Sequence, residues 1–286
     1  MNSYVCITGA AGGLGKAFAV ECAARGWDLY LTDLSEDKLE TLKKGLTRLY
    51  DVNVLYDPCN LIDPDERARF WEHVSNIGIR FHMMINVAGL DYEGAFIDRN
   101  EDELKTIIRL NIEATVTMTR RLLDFKSLNR QLQIINVSSL AGFYPMPLKA
   151  VYAASKRFLL DFTRATRQEL RGSQVNLLAL CPAGLATKPE TIRSITSQGL
   201  LGEFTTLQIG DVAAKTINRA LIGFSVYIPG WINQLLKTTS RLLPEDWIAW
   251  VICQRWSKTR QIAAQFEPQE YRRLEKTLAV STTIHE

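Results

Sequence analysis

The chain begins with a strand, a glycine turn and a helix in immediate succession, and this order constrains its fold more than any other feature. Tyr4-Val5-Cys6-Ile7 reads as a short buried strand, Thr8-Gly9-Ala10-Ala11-Gly12-Gly13-Leu14-Gly15 as the turn, and Lys16 to Ala24 as a helix. Glycines there let the backbone approach a pyrophosphate, and the helix N-terminus supplies free N–H groups and positive potential. A glycine turn alone often means only a tight bend. Its place directly after the first strand favours a phosphate site.

The alternation continues along the chain. Trp27 to Thr32, Val52 to Tyr56, Phe81 to Asn86, Leu132 to Val137, Val175 to Leu180 and Ser225 to Ile228 read as further strands. Asp37 to Tyr50, Pro64 to Asn76, Glu101 to Phe125 and Lys149 to Arg171 read as helices. Alternation of this kind predicts an α/β fold, a parallel sheet of about seven strands with helices on both faces. Residues 1–230 form the expected single domain. Residues 185–209, rich in Thr, Ser and Gly, break the rhythm as a long loop. Residues 231–279 are expected as a helical C-terminal extension and 280–286 as a disordered tail.

Three further features carry chemistry. Asp33 stands at the end of the second strand, where a carboxylate accepts hydrogen bonds from the hydroxyls of an adenosine ribose and repels a 2′-phosphate. The plainer role is a helix N-cap, open to Ser35 or Asp33, and the two roles are compatible. Ser139 follows the fifth strand, at the carboxyl end where open sheets bind ligands, although Ser138-Ser139 also suits a turn. Tyr152 and Lys156 fall on one helix face. A free phenol titrates near ~10, and a fixed positive charge beside it favours the phenolate. Such a pair gives or takes a proton at an alcohol or ketone.

Together these pieces resemble the short-chain dehydrogenase/reductase family, and within it hydroxysteroid dehydrogenases and 3-oxoacyl reductases. The resemblance rests on Thr8-Gly9-x-x-x-Gly13-x-Gly15, Asn86-Val87-Ala88-Gly89, Asn111, Ser139 and Tyr152-x-x-x-Lys156, over about residues 3 to 230. It implies a Rossmann-type doubly wound sheet. It also implies a catalytic set of Tyr152 as general acid/base, Lys156 on the nicotinamide ribose and lowering the phenol's pKa, Ser139 on the substrate oxygen, and Asn111 organising a water and backbone relay. Thr8, Gly9, Gly13, Leu14, Gly15, Asp33, Asn60, Leu61, Asn86, Ala88, Gly89, Tyr152, Lys156, Pro182 and Thr187 are the implied cofactor contacts. Asn60 stands where the family usually has an aspartate, and its side-chain oxygen can accept the same bond from the adenine amino group. Pro182-Ala183-Gly184 departs from the family's Pro-Gly pair. The segment 185–209 would be the substrate lid.

Composition agrees with an enzyme. Hydrophobic residues make up 47% of the 286, and the net charge of +3 gives no nucleic-acid footprint. The five cysteines form no paired motif and suit a reducing cytoplasm; the three histidines show no metal-ligand spacing, so no metal is expected. No apolar run reaches the ~18 residues needed to cross a bilayer, and the first predicted strand begins almost at Met1, so a cytoplasmic protein without a leader is expected.

The expected reaction is NAD(H)-dependent interconversion of a secondary alcohol and a ketone. NAD is favoured over NADP because Asp33 is followed by Leu34 with no basic residue. Leu140, Phe143, Tyr144, Met146, Leu148, Leu185, Leu200, Leu201 and Phe204 surround the expected pocket and favour a bulky lipophilic small molecule, a hydroxysteroid before a 3-oxoacyl chain. A homodimer or homotetramer is expected, with Phe158, Leu159, Phe162 and Thr163 offering area. Trp247, Trp250 and Trp256 lie on one C-terminal stretch with Arg255, Lys258 and Arg260. This pattern suits packing on the lid or on a second subunit, or weak peripheral membrane contact through 244–260. Two alternatives stand beside the enzyme: a catalytically silent NAD-binding regulator and a peripheral membrane-associated protein.

Overall fold

A computed structural model describes residues 3–183, 208–240 and 243–254. Seven strands make one wholly parallel sheet: β1 (Ser3–Thr8), β2 (Leu29–Thr32), β3 (Val54–Tyr56), β4 (Arg80–Asn86), β5 (Leu132–Val137), β6 (Val175–Leu180) and β7 (Val226–Tyr227). Their spatial order is β3-β2-β1-β4-β5-β6-β7. The direction of winding reverses between β1 and β4, which opens a crevice at the carboxyl ends of those two strands.

Strand residues alternate between two apolar layers, as a sheet buried on both faces requires. Val5, Ile7, Leu29, Leu31, Ile135, Leu178 and Leu180 face one layer, with α1 (Gly13–Ala24), α2 (Glu36–Leu49) and α7 (Ile209–Leu221). Tyr4, Cys6, Tyr30, Phe81, Met84, Ile134 and Leu177 face the other. There α3 (Pro64–Asn76) supplies Phe70 and Trp71, and α5 (Thr115–Leu122) supplies Met118 and Leu122. On the same side α6 (Ala150–Glu169) packs Leu160 on Ala179 and Cys181. Each large side chain buried in these layers contributes about 1.5–3 kcal/mol relative to exposure.

The predicted helix from Glu101 to Phe125 is interrupted. It runs as α4 (Glu101–Ile108), a π-helical turn (Arg109–Ala114) and α5, followed by a 3₁₀ turn (Leu123–Phe125). One extra residue per turn re-aims the side chains within it, and Asn111 sits there fully buried. Nothing in the apolar spacing marks such an insertion. Within the C-terminal segment α8 covers Trp231–Ser240 and another helix covers 245–254, the Pro244 carbonyl accepting from the Trp247 and Ile248 N–H groups, whereas 255–279, with Arg255, Trp256, Lys258 and Arg260, lies outside the described residues. Trp247 and Trp250 are both more than half exposed. The residues proposed for self-association divide: Phe158 is exposed and stacks on Phe162, whereas Leu159 and Thr163 belong to the core.

A polar chain runs through the apolar layer beneath α6. Asn86 and Asn136 are cross-strand neighbours on β4 and β5. Asn86 Nδ2 donates to Asn136 Oδ1 at 2.8 Å and to Thr119 Oγ1 at 3.1 Å, and Asn136 Nδ2 donates to Thr163 Oγ1 of α6 at 2.9 Å. A buried amide has few satisfied placements, so this chain fixes the rotation and height of α6. Asn136→Ala removes one of the two bonds made by Asn86 Nδ2 and the bond that Thr163 Oγ1 accepts, leaving Asn86 on Thr119 and Thr163 on the Leu159 carbonyl, and opens a small cavity between them. It is expected to lower unfolding free energy by about 2–4 kcal/mol. Urea unfolding of the two proteins measures this, and a loss below about 1 kcal/mol would show that the chain is dispensable.

Candidate active site

The sequence-predicted residues that the structure describes lie along the carboxyl edge of the sheet, or on helices that reach it. Thr8 ends β1, and its Oγ1 accepts from the Val87 and Ala88 N–H groups at 3.2 and 3.3 Å, joining the glycine turn to the loop after β4. Gly13, Leu14 and Gly15 open α1. A methyl on Gly15 would stand 2.1 Å from the Gly9 carbonyl oxygen, so only glycine permits the turn to close on the helix. The α1 N-terminus has no side-chain cap and no acid in its first turn. α3 and α4, by contrast, are capped by Asp63 and Asn100 and carry acids there. Gly12 and Gly13 are exposed. Bare N–H groups and an uncompensated dipole end fit a dinucleotide pyrophosphate.

Asp33 follows β2. Its Oδ2 accepts from the Ala11 N–H at 2.9 Å and its Oδ1 from the Leu34 N–H at 2.8 Å. Of the two candidates for the helix N-cap, Ser35 takes the position at the start of α2, without a side-chain bond, and Asp33 does not cap. The carboxylate instead ties the glycine turn to the end of β2, and the remaining lone pairs fit ribose hydroxyls. Asn60 and Leu61 follow β3. Asn60 Oδ1 accepts from the Ile62 N–H at 3.2 Å, and its backbone N–H donates to Glu66 Oε2 at 2.7 Å. The Leu61 carbonyl takes a 2.5 Å bond from buried Arg67, which also pairs with Glu113.

The second half of the site gathers on α6. Tyr152 and Lys156 are one turn apart, and the Lys156 ammonium stands 5.7 Å from the Tyr152 ring centroid. Lys156 is only 5% exposed, and its Nζ donates to the Val137 carbonyl at the end of β5 at 2.9 Å. Ser138 Oγ donates to the Lys156 carbonyl at 2.6 Å. Ser139 begins a 3₁₀ turn (Leu140–Phe143), its Oγ accepting from the Ala141 N–H at 3.1 Å and facing the Pro182 carbonyl at 3.5 Å. Asn111 brackets Leu90, accepting from its N–H at 2.9 Å and donating to its carbonyl at 3.0 Å. Asn111 Nδ2 also donates to Ser155 Oγ at 3.0 Å. Its partners here are thus Leu90 and Ser155. Gly89 is the floor: a methyl there would stand 3.1 Å from Asn111 Oδ1 and 3.3 Å from Lys156 Nζ.

Burial pushes the Tyr152 phenol up to about 12; the Asp91 carboxylate adds to the rise and a hydrogen bond with Ser139 opposes it. Burial brings Lys156 down to about 8, with Asp91 and Cys181 working against the fall. The expectation that Lys156 draws the phenol down is therefore not what dominates. The ammonium is turned to the Val137 carbonyl, and desolvation of the phenolate outweighs it. At neutral pH Tyr152 is a phenol and Lys156 mostly an ammonium.

Thr187 and Gly184, with Leu185, Leu200, Leu201 and Phe204, lie outside the described residues, as does most of 185–209. Among the described residues no cluster of three or more metal-ligating side chains occurs. No described helix is long and apolar enough to cross a membrane. The sequence reading missed Asn136, Thr119, Ser155 and Asp91. Asn136 had a signal, an amide inside an apolar strand run, whereas the others depend on contacts between distant segments.

A family profile described as short chain dehydrogenase matches residues 3–195. Among curated proteins, very-long-chain 3-oxoacyl-CoA reductase-A of Danio rerio is 25% identical over 85% of this chain and 78% of its own length. Human 17-beta-hydroxysteroid dehydrogenase type 3 is 26% identical over 81% and 77%. Among solved structures, one described for 7beta-hydroxysteroid dehydrogenase stereoselectivity superposes with TM-score 0.77 at 22% identity, over 87% of this chain and 96% of that one. A Brucella melitensis 3-oxoacyl-[acyl-carrier protein] reductase with bound NAD gives TM-score 0.69 at 22% identity, over 80% and 89%. A Sphingobium yanoikuyae short-chain dehydrogenase in complex with NADPH gives 0.68 at 22%, over 93% and 97%.

The lysine burial has a measurable consequence. Its folded pKa is depressed from 10.5 to about 8, so below pH 8 both states carry the charge and the folded state bears the full desolvation cost. Between pH 8 and 10.5 the folded lysine has shed its proton while the unfolded one keeps it, and stability recovers. Lys156→Met is expected to stabilise the fold by about 1–3 kcal/mol at pH 7, the lost bond to Val137 offsetting part of the gain. Denaturant unfolding across pH should show that gain shrinking towards pH 10.5; a gain that grows with pH would overturn the assignment.

Proposed function

The chain belongs to the short-chain dehydrogenase/reductase family, as an NAD(P)-dependent oxidoreductase of hydroxyl and keto groups, and on that premise we propose that it interconverts a secondary alcohol and a ketone on a bulky lipophilic substrate with NAD(H), a hydroxysteroid before a 3-oxoacyl chain. The observation that carries this reading is the meeting of Ser139, Tyr152 and Lys156 beside an apolar segment. Leu140 and Phe143 follow Ser139 directly, packed against Leu160 and Ile228. Lys237 of α8 covers the Phe143 ring at 5.6 Å, so α8 walls this side. A site of this lining suits an apolar body with one polar group. Similarity to both a hydroxysteroid dehydrogenase and a 3-oxoacyl-CoA reductase supports the two substrate classes together.

The chain's own groups divide the work. A bound nicotinamide supplies or accepts the hydride. The α1 N-terminus holds the pyrophosphate, and Asp33 accepts from the ribose hydroxyls. Ser139 Oγ orients the substrate oxygen beside Tyr152. In reduction the Tyr152 hydroxyl gives its proton to that oxygen, and in oxidation the phenolate takes one. Lys156, pinned by the Val137 carbonyl, holds its positive charge beside the ring whichever way the proton moves. Association through Phe158 and Phe162 and work in the cytoplasm are parts of the same proposal.

Tyr152→Phe keeps the ring and removes the transferable proton. It is expected to lower kcat by a factor of ~10² to 10⁴ while cofactor binding changes little. Nicotinamide absorbance with a panel of hydroxysteroids and 3-oxoacyl substrates, together with a cofactor-binding titration, reads both quantities. A variant retaining more than about a tenth of wild-type turnover would remove Tyr152 from its role. Saturable NADH binding with no turnover across the panel would favour the silent regulator.

Cofactor choice follows from Asp33. Two backbone N–H bonds hold its carboxylate in place, so it cannot swing freely from a 2′-phosphate. Repulsion of about 2–4 kcal/mol gives NAD an advantage of roughly one and a half to three decades in kcat/KM. Asp33→Ser should narrow the gap chiefly by improving NADP. Equal or better efficiency of the wild type with NADP would dismiss the ribose assignment.

A further inference from the structure

The loop that follows Gly89 is fastened to the start of α6 more firmly than a surface connection requires. Lys149, three residues before Tyr152, places its Nζ 2.5 Å from Asp91 Oδ2 and 3.5 Å from Glu93 Oε2. The Gly94 N–H donates to the Leu148 carbonyl at 2.8 Å. Leu148 itself has φ +66, a left-handed conformation that a branched side chain adopts at a cost of about 1–3 kcal/mol. Arg99 reaches back to the Glu93 carbonyl and pairs with Glu103. At its other end the loop is held by Asn111, which brackets Leu90 on both sides. Asp91 is the next residue. A strained backbone held between two sets of bonds marks a position that the surrounding structure enforces.

Resting on the reading of Tyr152 as proton donor and acceptor, we propose that Asp91, clamped by Lys149, is a positioning residue for the reaction: it locks the loop after β4 onto the start of α6, and its negative charge favours the proton-donating form of Tyr152. The charged and titratable groups around Tyr152 come from every neighbouring element. Lys149 and Lys156 stand on its own helix, each 5.7 Å from its ring centroid. The loop after β4 supplies Asp91, Tyr92, Glu93 and Arg99, of which Tyr92 and Arg99 line a small cavity of mixed polarity shared with Leu148 and Tyr152. Ser139 approaches from the end of β5; Cys181, after β6, acts on Lys156, and Lys237 of α8 lies over the Phe143 ring. Of the acids, Asp91 is the one that acts on both Tyr152 and Lys156, in each case favouring the protonated group.

The test is the pH dependence of kcat/KM for alcohol oxidation in wild type, Asp91→Asn and Lys149→Met, alongside NMR titration of isotope-labelled tyrosine with Tyr152→Phe as the blank. Asp91→Asn removes the anion. It should move the tyrosine limb down by about half to one pH unit, a threefold to tenfold gain in phenolate at a given pH. Lys149→Met leaves the Asp91 carboxylate uncompensated and should move the limb up. A purely structural latch would lower the rate in both variants without moving the limb, and that result, or shifts of the same sign, would overturn the proposal. The NMR titration needs no turnover. Opposite shifts there in an enzyme inactive on every substrate would count against the proposed reaction and leave the role of Asp91 standing.

Discussion

Burying the ammonium of Lys156 is unfavourable, and much of the architecture around the site exists to make it tolerable. A desolvated cation needs an oxygen at close range, and the Val137 carbonyl supplies it from the last residue of β5. That bond is available only because α6 lies close against the strand ends, where Ser138 also bonds the Lys156 carbonyl. Gly89 leaves room for the ammonium and for the Asn111 carboxamide side by side. The result is a cation whose pKa falls to about 8 and which still carries its charge at neutral pH. Stability is exchanged here for a fixed positive charge beside a phenol, as functional sites commonly do.

The position of α6 is set from both ends. Towards its middle, Thr163 is tied through Asn136 to Asn86, so the helix cannot rotate without stranding buried amides. At its start, Lys149 and Leu148 are tied to the loop after β4. The π-helical turn places Asn111 where one carboxamide holds both that loop and Ser155 of α6. Glu113 of the same turn pairs with Arg67, which bonds the Leu61 carbonyl on the adenosine side. The two halves of the site therefore share one irregular turn. Rearrangement of either half would have to break buried polar contacts, which is the physical basis of a preorganised geometry.

Asp33 has a structural task that the proposed recognition of a ribose would share. Its two oxygens hold the glycine turn against the end of β2, and the same fixed carboxylate lies where a ribose hydroxyl would be read. The bare N-terminus of α1 a few residues away keeps its positive end free for a phosphate.

The sequence by itself determined the parallel, two-faced sheet, because buried strands alternating with amphipathic helices leave few other solutions. It also determined which residues reach the carboxyl edge, since Thr8, Asp33, Asn86 and Ser139 stand at strand ends and Tyr152 and Lys156 share a helix face. These are properties of local order and period. What only the tertiary structure decided depends on segments far apart in the chain. The π turn at Asn111, the Asn86–Asn136–Thr163 chain and the Asp91–Lys149 pair are each invisible to a periodic reading. The electrostatics follow the same division. Residue types gave a tyrosine and a lysine within reach of each other, whereas the folded packing decided that burial, with the Asp91 carboxylate, raises the phenol to about 12.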